Sequence, residues 1–410
     1  MSMDNNFDRL DAVLRLEDES DRVPFYDLFA DPEVIEAVTG KQLPTALTYE
    51  QIKVTVEAGQ HLKIFRILRR IFEIQVDFYS KLGYDYVVLT LPSPFPRENV
   101  ILAGDTAPLR RYKRVWQDEN RGAIESREDF EKYPWPDISE IDDVLMLLLN
   151  ALKQKSAKNM RIIPLTPGDV LENVMWLMGA VNFFKALYKD PPLIEDMFRK
   201  IGSVISHYCS ICSEDKMVGA VSMGDDMGYK TGPMISPSFL RKYVFPWHKR
   251  CVEEVHRRGK PFILHSCGNL KIIMNDLIEY VKIDAKHSYE DVSYPVVEYK
   301  KLYGDRIAIL GGIDMDKLAR MPSLEFEKYV KNILSKCAPG GGYALGCGNS
   351  VANYIKLENY LLMLKIGKYM EKISRQGIRL KYLVNRHLIG HSKVFSHIYM
   401  PQSPLLWLGR

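Results

Sequence analysis

Short apolar runs recur along the chain, and each is followed by turn residues and then a helical stretch. They fall at 22–26, 86–90, 161–165, 218–223, 261–265, 283–287, 307–310 and 342–345. Most are nearly continuous rather than alternating, the pattern of parallel strands buried on both faces. The intervals place apolar residues at three- and four-residue spacing. Residues 64–82 do so up to Gly83, and 239–259 end in Arg257, Arg258 and Gly259. Cations and glycine are favoured at a helix C-terminus. Residues 323–337 stop ahead of Pro339 and a triple-glycine turn, and a last helix is expected at 357–373. Eight strands with crossover helices predict an α/β fold, a single (β/α)8 TIM barrel. A doubly wound open sheet is the structural alternative. The barrel is expected to span 1–374, with a cap insertion at about 92–160 and a basic, aromatic extension at 375–410.

Composition narrows the class. The chain has 410 residues, 46% hydrophobic and 26% charged, close to an ordinary soluble protein. Its net charge of +4, from 56 basic and 52 acidic residues, makes no case for a nucleic-acid binder. No apolar run approaches the roughly 18–20 residues of a membrane span. Residues 1–22 lack the apolar core of a secretory signal. Six cysteines are too sparse for a disulfide framework. The expectation is a cytoplasmic protein with free thiols, and a homodimer is the default for a soluble enzyme.

Three of the strand ends carry soft metal ligands beside glycine. His265 and Cys267 close the fifth run, and Cys347 closes the eighth. One imidazole and two thiolates suit zinc with a position left open for chemistry. In a parallel barrel, strand ends converge on one rim. The competing reading is a core histidine and two buried thiols. It does not explain why all three stand at strand-to-glycine junctions. Candidates for a fourth ligand are Glu290 and His287 after the sixth run, Asp225 and Asp226 after the fourth, and Asp314 after the seventh. Glu290 is the first choice, as a carboxylate that substrate can displace; it reads equally well as a solvated loop acid.

Two further strand ends carry candidate chemistry. Asp225, Asp226 and Tyr229 are candidate catalytic residues, suited to proton handling or substrate positioning. An ordinary Asp-Asp turn is the alternative. Gly311, Gly312 and Asp314 are candidate cofactor-binding residues, the glycines admitting close backbone approach. Asp314 reads equally as a helix cap. Cys209 and Cys212 have the spacing of a metal or redox pair, but they fall inside a helical stretch and read as a packed face. No Walker or dinucleotide glycine loop and no serine-hydrolase elbow is present.

Asp21-Arg22-Val23-Pro24, Gly232-Pro233-Met234-Ile235-Ser236-Pro237, His265-Ser266-Cys267-Gly268-Asn269, Gly311-Gly312-Ile313-Asp314 and Gly346-Cys347-Gly348-Asn349 together resemble the uroporphyrinogen decarboxylase superfamily. The resemblance runs over about 8–372, with the motifs in the family's order. True decarboxylases carry an arginine-rich Arg-Gln-Ala-Gly-Arg motif, and nothing like it follows Asp21-Arg22-Val23-Pro24. The His-x-Cys pair and distant Cys resemble instead the zinc- and corrinoid-dependent methyltransferases. That resemblance implies a TIM barrel with His265, Cys267 and Cys347 as Zn2+ ligands. It also implies a cobalamin carried by a separate corrinoid protein, because this chain lacks the Asp-x-His-x-x-Gly cobalamin motif. Methyl would pass from a small donor, such as an aryl methyl ether, onto cobalt, or from methylcobalamin to a thiol such as coenzyme M. The aromatic insertion, with Phe95, Tyr112, Trp116, Tyr133 and Trp135, favours a lid over a bulky donor. A non-catalytic barrel that binds a corrinoid or tetrapyrrole is the reading from another class.

Overall fold

Parallel pairing follows sequence order throughout. The computed structural model describes residues 5–17, 20–110, 113–153 and 159–369. The first strand is β1 (Tyr86–Thr90), followed by a hairpin of β2 (Val100–Ala103) and β3 (Arg114–Gln117). Then come β4 (Arg161–Leu165), β5 (Val221–Gly224) and a second, minimal hairpin of β6 (Gly228–Tyr229) and β7 (Gly232–Pro233). The last four are β8 (Phe262–His265), β9 (Ala285–His287), β10 (Ala308–Leu310) and β11 (Tyr343–Ala344). Seven of these form one parallel sheet in the order β1-β4-β5-β8-β9-β10-β11. The expected run at 22–26 contributes a parallel bridge from Phe25 to Leu345, just past β11. Leu345 N–H donates to the Pro24 carbonyl, and Tyr26 N–H donates back to Leu345. Pro24 has no N–H to give, which keeps this segment from a full ladder. The result is an α/β fold, a curled parallel sheet wrapped by helices in the manner of a TIM barrel.

Burial explains the continuous apolar runs. Every residue of β8, β9 and β10 is buried, as expected of strands covered on both faces. The helices His61–Leu82, Pro191–Glu214 and Ser323–Cys337 supply the outer layer, the first and last close to the expected spans. Cys209 and Cys212 are buried on the helix Pro191–Glu214, the packed face anticipated for them. The stretch at 239–259 departs from expectation. It is a short turn, Pro237–Phe239, then a π-turn, Leu240–Val244, and only then an α-helix, Phe245–His256. Pro246 cannot donate to the preceding turn, so regular helix starts beside it. The helix expected at 357–373 is described as Leu357–Tyr369. Its last residues and the 375–410 extension lie outside the described residues, as does Tyr112.

Within the insertion, Phe95 and Tyr133 pack on Trp135, with ring centroids 6.4 and 4.7 Å away. The Trp135 indole donates to the Phe130 carbonyl at 3.0 Å. Three of the aromatics expected to face a donor therefore stabilise one another. Among the described residues, no helix is long and apolar enough to cross a membrane.

Candidate metal site at the ends of the parallel strands

Register sets the level of the site. Gly224 pairs with His265, His265 with His287, and His287 with Leu310. Strand ends therefore form one row across the sheet. Beyond the row, the loops after β5 and β8 cross. Gly268 takes a φ of +80°, and a side chain there would collide with the Gly228 backbone. The crossing brings Asp226 onto the other loop, where its Oδ1 accepts the Cys267 N–H at 2.7 Å.

Three ligand-type atoms converge at this crossing. His265 Nε2 lies 3.4 Å from Cys267 Sγ and 3.6 Å from Asp226 Oδ1. Ligand atoms of all three residues lie within 4.8 Å of one another. The hydrogen-bond chain behind His265 assigns its tautomer. His287 Nε2 donates to the Cys347 carbonyl at 3.1 Å, since a carbonyl can only accept. In neutral His287, Nδ1 is then an acceptor, and it takes the Nδ1–H of His265 at 2.7 Å. The lone pair of His265 therefore sits on Nε2 and faces Cys267 and Asp226. Burial, helped by the Lys286 ammonium, lowers the His265 pKa to about 3, so the ring is neutral and free to ligate. The Cys267 sulfur accepts from Asn349 Nδ2 at 3.2 Å and from Ser288 Oγ at 3.4 Å. Burial, and then the Asp226 carboxylate, push the bare thiol upward. An imidazole nitrogen, a sulfur supplied with donors and a carboxylate oxygen fit a zinc ion.

Other expected residues are placed elsewhere. The Cys347 thiol is outside this group of three. Its N–H donates to Asp27 Oδ1 at 2.7 Å, and its side chain also meets the Asp27 carboxylate. Asp27 is enclosed by the Tyr84 and Tyr360 hydroxyls. Burial raises its pKa to about 6 despite these donors. Glu290 is also outside the group, half-buried, with Ser293 Oγ 3.5 Å from its carboxylate.

Asp225 is fully buried and turned away from Asp226. It accepts the N–H groups of Leu171 and Glu172, each at 3.0 Å, and faces His248 Nε2 at 2.7 Å. It thereby closes the N-terminus of the helix Val170–Met178. Sequence reasoning offered it as a catalytic residue; here its hydrogen bonds go to a helix N-terminus and to a buried histidine. Behind it, Asp169 and Glu172 crowd the same carboxylate. Burial raises both, helped by the like charge of Asp225 at Asp169 and of Asp226 and then Asp225 at Glu172. Asp314 caps the helix Met315–Arg320, accepting from Asp316 and Lys317 N–H. Gly311 and Gly312 give way to the Cys347 carbonyl and to Val296. Their positive φ serves packing between strand ends. Tyr229 is 68% exposed on the β6–β7 hairpin, beside the loop that carries Cys267.

Lys286 escaped the sequence reading. It is fully buried, and its ammonium donates to the carbonyls of Ser266, His287 and Ser288 at 3.2, 3.3 and 2.6 Å. The Tyr289 and Tyr299 rings cover it at 4.3 and 5.2 Å. Burial presses its pKa down to about 7, yet three acceptors match the three donors of an ammonium. It ties the end of β9 to the Ser266–Cys267 loop. The only signal was a lysine inside a run read as a buried strand.

The chain matches the uroporphyrinogen decarboxylase (URO-D) family over residues 121–369, more than half its length. It belongs to that family. Among solved structures, it is similar to a methyltransferase from Methanosarcina mazei at 16% identity. The match covers 88% of this chain and 97% of that one, with a TM-score of 0.64. Likeness at that identity speaks for the fold. The β-glycosidase of the hyperthermophile Thermosphaera aggregans is 12% identical over 74% of this chain and 85% of that one, with a TM-score of 0.38, too low to carry an argument. No curated protein matches the chain.

Proposed function

We propose that this URO-D family member is a zinc-dependent methyltransferase. It would move a methyl group between a small donor, such as an aryl methyl ether, and the cobalamin of a separate corrinoid protein. The observation that carries this reading is the convergence of His265 Nε2 and Cys267 Sγ at the strand ends, 3.4 Å apart. The likeness in fold to a methyltransferase supports it. When bound, zinc supplies Lewis acidity to the oxygen or sulfur beside the methyl group.

The protein's own groups divide the remaining work. His287 holds the His265 ring with its lone pair outward, so the imidazole needs no reorientation to ligate. Ser288 and Asn349 stabilise negative charge on the Cys267 sulfur. Lys286 places a buried positive charge behind the same loop. The family resemblance adds Cys347 to the ligand set. Tyr229 offers an exposed ring to whatever enters.

Metal analysis of the purified protein tests the site. About one zinc per chain is expected, lost in Cys267→Ala. Absence of zinc, or unchanged zinc in that variant, sinks the reading. A cobalt(I)-cobalamin assay across methyl ethers and thioethers separates donor demethylation from the second reading, methyl transfer from methylcobalamin to a thiol. The resemblance keeps that second reading open, since activation of a thiol needs the same metal site.

A further inference from the structure

We infer that Asp226, rather than Glu290, is the carboxylate ligand that completes the resting zinc site. The inference rests on the metal reading above and adds a residue to it. His265 Nε2 and Asp226 Oδ1 face each other at 3.6 Å. The hydrogen-bond chain through His287 takes up the Nδ1 proton of His265, so the neutral ring presents its lone pair at Nε2. Two lone pairs aimed at each other across that gap repel unless a cation lies between them. Cys267 Sγ points into the same gap from 3.4 Å. A metal ion there would meet an imidazole, a sulfur and a carboxylate at once, and all three are ordinary zinc ligands.

The rest of Asp226 is already arranged for the task. The Cys267 N–H donates to it at 2.7 Å, so the carboxylate and the sulfur are fixed relative to each other before any metal arrives. The crossing of Gly228 and Gly268 makes that approach possible. Its neighbour Asp225 points the other way, into the helix N-terminus. Glu290 stands outside the converging group, with a serine beside its carboxylate. Asp226 is half-buried, so an entering substrate can reach and displace it.

The test compares Asp226→Asn and Glu290→Gln in the full-length protein. Asparagine keeps an Oδ1 acceptor for the Cys267 N–H while removing the charge. A residue that only positions the loop would therefore tolerate it. Zn2+ affinity of the metal-free protein is measured by chelator competition. Co2+ loaded in place of zinc reports its ligands through visible d–d absorption. The expected result is at least about a tenfold weaker Zn2+ affinity and an altered Co2+ spectrum in Asp226→Asn. Both should be unchanged in Glu290→Gln. Thermal unfolding of the metal-free variants checks that the fold is intact, and Asp226→Ala provides a second variant should asparagine itself bind the metal. The inference is overturned if Glu290→Gln carries the loss, if the two variants lose equally, or if neither loses. Failure of the wild-type protein to bind Zn2+ at all would instead overturn the metal reading on which it rests.

Discussion

Replacing Asp27 by asparagine should remove a pH dependence that this one buried carboxyl imposes on stability. Asp27 is fully enclosed and contacts the Cys347 N–H and the Tyr84 and Tyr360 hydroxyls. Burial raises its pKa from 3.8 to about 6. The folded state therefore holds the proton up to about pH 6, and the unfolded chain releases it above 3.8. The stabilising contribution is complete below the unfolded value and is lost as pH rises through the folded one. A shift of about two units at 1.36 kcal/mol per unit is worth about 3 kcal/mol. Asparagine keeps an oxygen for the Cys347 N–H but disturbs the tyrosine hydroxyls, an offset of about 1–3 kcal/mol that does not vary with pH. Denaturant unfolding of both proteins is followed from about pH 4 to about pH 7.5. Taking their difference cancels the titration of every other group. The wild-type advantage should shrink by about 3 kcal/mol across that window. A flat difference refutes the argument, because Asp27 would then titrate alike in both states.

Three further outcomes follow from particular contacts. Gly268→Ala forces a side chain into the Gly228 backbone at positive φ; it should cost about 2 kcal/mol or more and weaken Zn2+ binding in chelator competition. Asp225→Ala strips partners from two helix N–H groups and from buried His248. Denaturant unfolding should register a loss of about 3–5 kcal/mol. Trp116→Ser changes a side chain that is 60% exposed on the β2–β3 hairpin, and thermal unfolding should stay within about 0.5 kcal/mol of wild type.

Strand positions were legible because burial on both faces leaves a continuous apolar run, and seven of the eight runs became strands of one sheet. Helix ends at Gly83 and Cys337 were legible because local chemistry terminates them. The π-turn Leu240–Val244 was harder to read, although Pro246 marked its end. His265 and Cys267 announced themselves as soft ligands two residues apart at a strand end, a local pattern that carries its own chemistry. Asp225 and Asp226 looked equivalent in the sequence.

Which of those two acids faces His265 and Cys267 depends on where successive side chains point once the loop after β5 crosses the loop after β8. One caps a helix that begins with Val170, and the other meets Cys267 N–H. Lys286 is a similar case. A lysine inside a buried parallel strand looks like an exception until carbonyls from two strand ends close around it. The sequence by itself determined the periodicities, the caps and the donor atoms on offer, because each depends on neighbours within a few residues. Tertiary structure alone decided which donors meet. It turned Cys347 toward Asp27 and Asp226 toward His265, since such contacts join residues tens to hundreds of positions apart through packing that no local pattern encodes.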